Sequence, residues 1–592
     1  MKQLIFKYTF IALAISFMVS CENNEFLTEE NPNFISTETF WTNLTETGNT
    51  LNAAYATLHS NDLLNKFEEI LRSDMAWPGY GRPNPSNTEE FYLHTYTGSS
   101  DPVLGKWQNA YLGIFRANQV IEALENLEVT GDRDLEEWNS QMAQARFLRG
   151  LFHFYVYTSY NDGSIVIRDE VPKIEADFNK ALSSKQDVIE FVRTDLEFAY
   201  KNLYRNGEYP SDDKARATSG AAATILGTTY LYELDYNNAM VYFDDVIKNH
   251  GYQIETDLSK MFTTANGDFN SESIFEINFS KDQVRYDLAP WEGESGTNWV
   301  NVRTSQTKGA VAPAWAVHAY KTEPMDPLDT RNYYVDYQGN TTLRPVPLRC
   351  SAMVAVVDDS ETDWYLEKTS ESGRFGGRDW GYGWWKIYAN HDIVLGEGDL
   401  PGGQAYSYKN IVLNRLSDVY LMQAECKIKT GATEEALDLI NEIRQRWGLV
   451  SLGQSGGDTS HTYDGVAYTA DSLMEHLMRV EKPLETSIEG HNIRFLDFQR
   501  WKKSDNYSFK KRLGELASQT YYGLNFTFYS YDTNEMKTKF NNSKIYVGSG
   551  APSEPHIVVD YEFNASFLNY DEERHGTYPI PFDETSSNPS IN

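Results

Sequence analysis

Two stretches of this chain carry the same helix-pair frame, which limits the fold more than any other feature. Leu226-Gly227, Tyr230, Ala239 and Phe243 follow the tetratricopeptide spacing L-G-x2-Y … A-x3-F. The small residues sit where two antiparallel helices must approach closely, and the large ones fill the grooves. At 411–447, Tyr420, Ala424, Gly431, Ala436, Ile440 and Ile443 fall in the same frame. The interval from Ala424 to Ala436 equals that from Gly227 to Ala239, a coincidence that chance rarely supplies twice.

Other segments have helical period with a weaker repeat signature. Met142, Phe147, Leu151, Phe154 and Val156 mark a helix over 139–157. Ser184-Lys185-Gln186-Asp187 reads as a capping box, followed by Val188, Val192, Leu196, Ala199 and Leu203 on one face. Segments 39–58 and 106–127 read as a further pair. About four pairs are enough for a right-handed superhelical stack. The expected fold class is therefore mainly α, a tetratricopeptide-like helical-repeat superhelix with a large irregular, loop-rich lobe containing short strands. That lobe comes from the stretches that do not repeat: 73–104, 251–408, 450–470 and 520–570. They are rich in Gly, Pro, Asn and aromatics, with strand-like pieces such as Ser273–Ile277. Loops of this length inside a compact protein tend to be functional.

The N-terminus reads as an address. Lys2 and Lys7 form a basic start, and Tyr8 to Val19 an apolar run too short for a bilayer core of ~30 Å, which needs ~20 residues. The run ends Phe17-Met18-Val19-Ser20-Cys21, which looks like a bacterial lipobox with Cys21 as the lipidated residue. An ordinary signal cleaved nearby is the other reading. Residues 1–20 are thus a lipoprotein signal peptide and 21–33 a flexible lipidated tether, acidic and Asn-rich. The body carries no long apolar run, so it touches the membrane through the lipid anchor only. Its formal charge of −33 repels phosphate backbones and anionic lipid, which argues against nucleic-acid binding and polybasic membrane docking. Three cysteines, Cys21, Cys350 and Cys426, cannot build a disulfide framework in 592 residues.

Few motifs point to catalysis, and no catalytic residue is expected. Arg494, Asp497 and Arg500, one helical turn apart, form an ion-pair ladder beside a buried Trp501, a packing signature. Gly453-Gln454-Ser455-Gly456-Gly457 matches G-x-S-x-G, but a loop follows where a hydrolase elbow needs a helix. There is no His-Glu-x-x-His, Walker loop or zinc spacing, so no metal ligand set and no cofactor is expected. A structural calcium on loop carboxylates stays open, although no EF-hand pattern is present. With 85 acidic residues, a carboxylate pair for glycoside hydrolysis also stays open, because its separation is a three-dimensional fact. Cys426 reads as a small core filler.

Aromatic clusters are the remaining candidates. Tyr is as frequent as Gly, at 39 each. A pyranose has an apolar C–H face that stacks on Trp or Tyr, and a rim of hydroxyls that needs Asn, Asp, Gln or Arg. Three segments combine rings with such forks: Trp77, Tyr80, Arg82 and Asn84; Trp291 and Trp299 with Asn298 and Asn301; and Arg378, Trp380 and Tyr382. The alternative for each is that its rings pack the irregular lobe. Trp384-Trp385-Lys386-Ile387-Tyr388 reads as a strand entering a core, and 521–529 alternates enough to be sheet.

The elements in this order resemble the SusD/RagB family of outer-membrane nutrient-binding lipoproteins. Cys21, Phe26-Leu27, Pro32 and Phe40-Trp41 carry the likeness at the start, then Ala53-Ala54-Tyr55, Trp107, Tyr111, Ile114, Ala117-Asn118 and Ala145 to Arg149. Later come Arg479 to Glu485, Glu489 to Trp501, Tyr578-Pro579-Ile580-Pro581 and Asn588-Pro589. Lys482-Pro483 stands where the family usually has two arginines, and Asn161 to Ile165 replaces its Tyr-Gly-x-x-Pro turn. The resemblance implies a non-enzymatic binder of oligosaccharide or polysaccharide, lipid-anchored in the outer membrane and facing the cell exterior. It also implies delivery to a SusC-like TonB-dependent β-barrel transporter, and a binding face formed by loops of the first helix pairs and the central insertion. A peptide-binding member of the family and a secreted glycoside hydrolase are the alternatives. The chain then divides into an N-terminal helical-repeat region (34–250), an aromatic-rich insertion lobe (251–408), a further repeat (409–447) and a C-terminal SusD-like region (448–592).

Overall fold

The computed structural model describes residues 41–78, 89–264, 266–279, 300, 309–373, 375, 383–392, 407–519, 521–547, 559–560 and 562–591. Its long helices are α1 (Leu44–Ala56), α2 (Asp101–Glu125), α3 (Asp132–Ser159), α4 (Lys185–Asn202), α5 (Ser219–Tyr232), α6 (Tyr236–Asn249), α7 (Leu416–Lys429) and α8 (Thr433–Arg446). From α2 onward each packs on the next, including α6 on α7 across the whole inserted segment, while α1 lies against α2 and α3. The repeat read from the two matching frames is therefore one continuous stack.

Local chemistry explains its ends and contacts. The Ser184 hydroxyl accepts the Asp187 backbone N–H (3.1 Å) and donates to the Asp187 carboxylate (2.6 Å), capping α4. Gly227 lies under Phe243, whose ring would stand 2.5 Å from a Cβ placed there. After α3 the chain turns through Asn161, Asp162 and Gly163, all at positive φ (46°, 48° and 89°), a geometry that Asn, Asp and Gly tolerate best. This is how the departure from the family's usual turn is accommodated.

The second repeat unit begins later than the sequence frame implies. Residues 411–415 form a strand, because Ile411-Val412-Leu413 is an apolar, partly β-branched run that alternates between buried and half-buried positions. The lobe contains β1 (Ser273–Ile277), β2 (Tyr333–Val335), β3 (Thr341–Leu343), β4 (Val354–Val356), β5 (Asp363–Trp364), β6 (Glu367–Lys368), β7 (Gly383–Trp385), β8 (Ile411–Arg415), β9 (Tyr521–Ser530), β10 (Glu535–Val547) and β11 (Val559–Asp560). Strand β1 pairs antiparallel with β8, Ile277 opposite Ile411, and so ties the start of the lobe to the start of α7. β2 pairs with β3, β4 with β7 and β5 with β6, while β9 pairs with both β10 and β11. One continuous apolar core runs from Leu51 in α1 through the lobe to Tyr578. Cys350 and Cys426 are buried free thiols in it. No helix among the described residues is long and apolar enough to cross a membrane.

The α5–α6 contact gives a direct test of the frame. Gly227→Ala forces a methyl into the Phe243 ring, and overpacking of this kind costs about 1–3 kcal/mol. Urea unfolding should show that loss, and Gly227→Ala with Phe243→Leu should recover part of it.

Candidate ligand-binding site

Described residues that border the first and third aromatic-rich segments meet in one small ribbon. The Trp77 N–H donates to the Val311 carbonyl and the Val311 N–H donates back, both at 3.0 Å. One residue on, the Ala312 N–H donates to the Gly383 carbonyl (3.3 Å). Gly383 begins β7, whose register against β4 sets Val356 opposite Gly383 and Val354 opposite Trp385. The rows thus run 77, 311–312, 383–385 and 354–356. The described chain breaks off just after Pro78, resumes just before Ala310, and resumes again at Gly383.

Tyr80, Arg82, Asn84, Trp291, Trp299, Arg378, Trp380, Tyr382 and Cys21 all lie outside the described residues. Trp77 is inside them, and its reading as a ligand-stacking ring is corrected. The side chain is 0% exposed in the core, so no ring face is open. Its Pro/Gly neighbours offered no local core; the covering atoms come from distant elements paired through Val311. Trp384 and Trp385 are also 0% exposed, in agreement with a strand entering a core.

A buried acid holds the ribbon from behind. The Asp74 carboxylate accepts two bonds from Arg494 (2.8 and 2.9 Å) and one from Arg512 (2.8 Å). The Trp315 indole donates to the Asp74 carbonyl (2.6 Å), three residues after Ala312. Burial alone would raise the Asp74 carboxyl, but the two guanidiniums hold it below its ordinary value. Arg494 opens α9 (Ile493–Ser504), and its engagement with Asp74 corrects the expected ladder. Arg500 does pair with Asp497 (2.9 Å), yet its main partner is Glu425 on α7 (2.7 and 2.9 Å), which also accepts the Trp501 indole N–H (3.1 Å). Trp501 is buried, as a packing role requires.

Beside α9, a larger network centres on Glu485. Its carboxylate accepts Arg415 (2.6 Å), the Trp447 indole (2.7 Å), Arg349 (3.3 Å) and Arg446. Glu272 bonds Arg415 and Arg446 (2.7 Å each), Glu481 bonds Arg349 (2.7 Å) and Arg444 (2.8 Å), and Glu489 bonds Arg415 (2.8 Å twice). Burial opposes the charge on Glu485, but Arg446, Arg415 and Arg349 hold its carboxyl down at about 2. At Glu489 burial outweighs Arg415 and raises the carboxyl to about 7. Lys482 is buried on Asp418, and Pro483 is accommodated because a π-turn over Leu477–Glu481 precedes it. These are the two positions where the chain departs from paired arginines.

Nothing here assembles a hydrolase elbow. Ser455 lies in a turn whose carbonyl accepts the Asp458 N–H (2.8 Å), with no helix after it. Among the described residues no group of three or more His, Cys, Asp or Glu is placed to hold a metal ion. Sequence reasoning missed Val311-Ala312 and Asp74 as builders of the site. The available signal was the apolar run Ala310-Val311-Ala312 following the polar stretch Arg303 to Lys308.

With this geometry in place, comparison with known proteins is decisive. The model of the SusD family matches residues 271–592, more than half of the chain. The chain belongs to the SusD family. A second model, described as starch-binding associating with outer membrane, matches residues 25–231. A SusD-like protein of Bacteroides ovatus is 28% identical over 214 residues, which spans 34% of this chain and only 38% of that relative. A SusD-like protein of Formosa agariphila is 22% identical over 74% of this chain and 82% of its own length. Among solved structures, a SusD superfamily protein from Bacteroides vulgatus superposes with a TM-score of 0.66 at 19% identity, covering 94% of this chain and 99% of that one. A laminarin-binding SusD-like protein superposes with a TM-score of 0.59 at 18% identity, covering 93% and 99%. The helical stack with an inserted lobe is the fold of this SusD family.

The Glu485 network carries a pH dependence of fixed sign. A carboxyl depressed from 4.5 to about 2 on folding contributes stability that is complete above its unfolded value and lost as pH falls through the folded one. The unfolding free energy should fall from about pH 5 to about pH 1 by an amount on the order of 3 kcal/mol, with roughly half of the loss above pH 3. Glu485→Gln should lose about 3–5 kcal/mol at neutral pH and show a flatter acid slope, since it leaves buried arginines short of a counter-charge.

Proposed function

We propose that this protein binds oligosaccharide or polysaccharide at the cell surface, on a face floored by the Trp77–Val311–Gly383 ribbon. The observation that carries this reading is the meeting of Trp77, Val311-Ala312 and Gly383 on that ribbon, which brings the chain bordering the first and third segments together. The three aromatic-rich segments carry rings and polar forks of the kind a sugar needs: Tyr80, Arg82 and Asn84 in the first, Trp291 and Trp299 in the second, Arg378, Trp380 and Tyr382 in the third. Tyr80 follows Trp77 by three residues and Tyr382 precedes Gly383 by one. At a reach of roughly 3.3–3.6 Å per residue, both are tied to the ribbon. The laminarin-binding relative and the starch-binding family description support a glycan as ligand.

The protein works by capture, without covalent chemistry. Cys21 bears the lipid, the following tether holds the body on the outer face of the outer membrane, and bound glycan passes to a SusC-like TonB-dependent barrel. A tethered binder stays at high effective concentration over such a partner.

Trp380→Ala and Tyr80→Ala should each weaken glycan affinity by roughly 1–3 kcal/mol, a hot-spot-sized loss, without shifting the melting temperature. Trp77→Ala should instead cost about 3–5 kcal/mol of stability, as buried aromatic truncations do. A glycan array followed by calorimetry reads the first pair. Wild-type affinity in both variants, or release of reducing ends by purified protein, would overturn the proposal. Separately, Cys21→Ala should abolish fatty-acid labelling and release the protein from membranes; retained labelling would remove the anchor.

A further inference from the structure

Away from the ribbon, a cleft of about 410 Å³ opens where the end of α3, the Asn161–Gly163 turn, the start of α4, the end of α5, α9 and residues 572–577 meet. None of its described lining residues belongs to the ribbon. Its size falls within the ~300–1,000 Å³ typical of small-molecule sites.

Two tyrosines and a set of ion pairs line it. The Tyr157 hydroxyl donates to the Glu233 carboxylate (2.5 Å), and Lys185 reaches the same carboxylate at 3.4 Å. Lys502 pairs with Glu572 at 3.0 Å across the opposite wall. Arg500 lies between them, already matched from behind by Glu425 and Asp497. With Asp162, Lys503 and Glu573 the described lining carries four charges of each sign. In a chain whose formal charge is −33, that balance is a local property of the cleft. The Tyr232 ring also lines the cleft, with the Arg500 guanidinium 5.3 Å from its centroid.

Such a lining selects by chemistry. An ammonium has three donors and a carboxylate about four lone-pair positions, so each member of an ion pair keeps hydrogen-bonding capacity. A hydroxyl both donates and accepts, so a polyol can bridge a Lys–Glu pair without separating it. An anion or a cation would meet the like-charged member of every pair at close range. Tyr157 and Tyr232 add apolar ring surface beside these forks. We propose that this cleft is a second binding site, for a short neutral oligosaccharide, formed by the repeat helices and independent of the ribbon face.

The test uses the full chain. It is titrated with neutral hexasaccharides of gluco, manno, xylo and galacto backbones, and with tetraglycine as a zwitterionic control, while hydrogen exchange is followed at 157–163, 499–503 and 572–577. At least one sugar should protect all three segments and tetraglycine none. Gln499→Ala with Lys502→Ala should raise the sugar concentration needed for protection about tenfold at unchanged melting temperature. Trp380→Ala should leave that protection as it is. Protection by none of the sugars, protection by tetraglycine instead, or loss of cleft protection in Trp380→Ala would each overturn the proposal. The last outcome is distinguishable from failure of the ribbon site, which is read by affinity in the Trp380 variant alone.

Discussion

The buried pairing of Glu485 with Arg349, Arg415, Arg446 and Trp447 is the constraint on which the architecture depends. Each partner comes from a different place: Arg349 from the lobe, Arg415 from the end of β8, Arg446 from the last turn of α8. Glu272, just before β1, closes the circuit through Arg415 and Arg446. Isolated charges at this depth would be prohibitively destabilising, so each is tolerable only when all the others are in position. Lobe, strand pair and repeat helices are therefore mutually dependent, although more than 160 residues separate α6 from α7.

The same logic reaches the candidate site through Asp74. Two arginines from the C-terminal region fix its carboxylate, and its carbonyl fixes Trp315 at the head of a short helix over Ala314–Thr322. That brackets the ribbon on both sides, at Trp77 and at Ala312. The ribbon is thus a paired floor, buried at Trp77, Val311 and Ala312. A rigid floor limits the ordering entropy that ligand binding must overcome, which matters more to affinity than the number of contacts.

How much of this was legible in the sequence follows from what kind of signal each feature leaves. Gly227 with Phe243, and Ala424 with Ala436, are local in sequence and fixed by helix geometry, so the stack and its two clearest pairs could be read directly. Trp384-Trp385 could be read because neighbouring apolar residues in a strand announce a core. Trp77 could not, because what covers it lies at Val311 and beyond, and a one-dimensional pattern around Pro78-Gly79 resembles an exposed loop. Arg494 was read toward Asp497 for the same reason: spacing within one helix predicts partners on that helix, whereas Asp74 lies some 420 positions away. The ladder half that was right, Asp497 with Arg500, is the half that is local. The second repeat starts later than its frame implies because an apolar run of three residues, Ile411-Val412-Leu413, carries no period long enough to separate strand from helix.

The internal pairing also shapes the outside. Arg72, Arg349, Arg415, Arg444, Arg446, Arg494, Arg500 and Arg512 are all buried, most of them against carboxylates that are buried too. Withdrawing these cations with roughly as many anions leaves the described interior close to neutral, so the acidic excess of the described residues lies mostly at the surface. A surface of that sign repels polyanions over about a Debye length, ~8 Å at physiological salt, and is indifferent to uncharged ligands. The chain thereby discriminates before contact: nucleic acid and anionic polymers are disfavoured at a distance, whereas a neutral glycan meets no long-range barrier. Stacking and hydroxyl contacts of the kind proposed for a neutral glycan need pre-formed, desolvated faces rather than net charge. An arginine-rich interior under an acidic skin meets the first requirement, and a ribbon fixed through Asp74 offers a pre-formed base for the second.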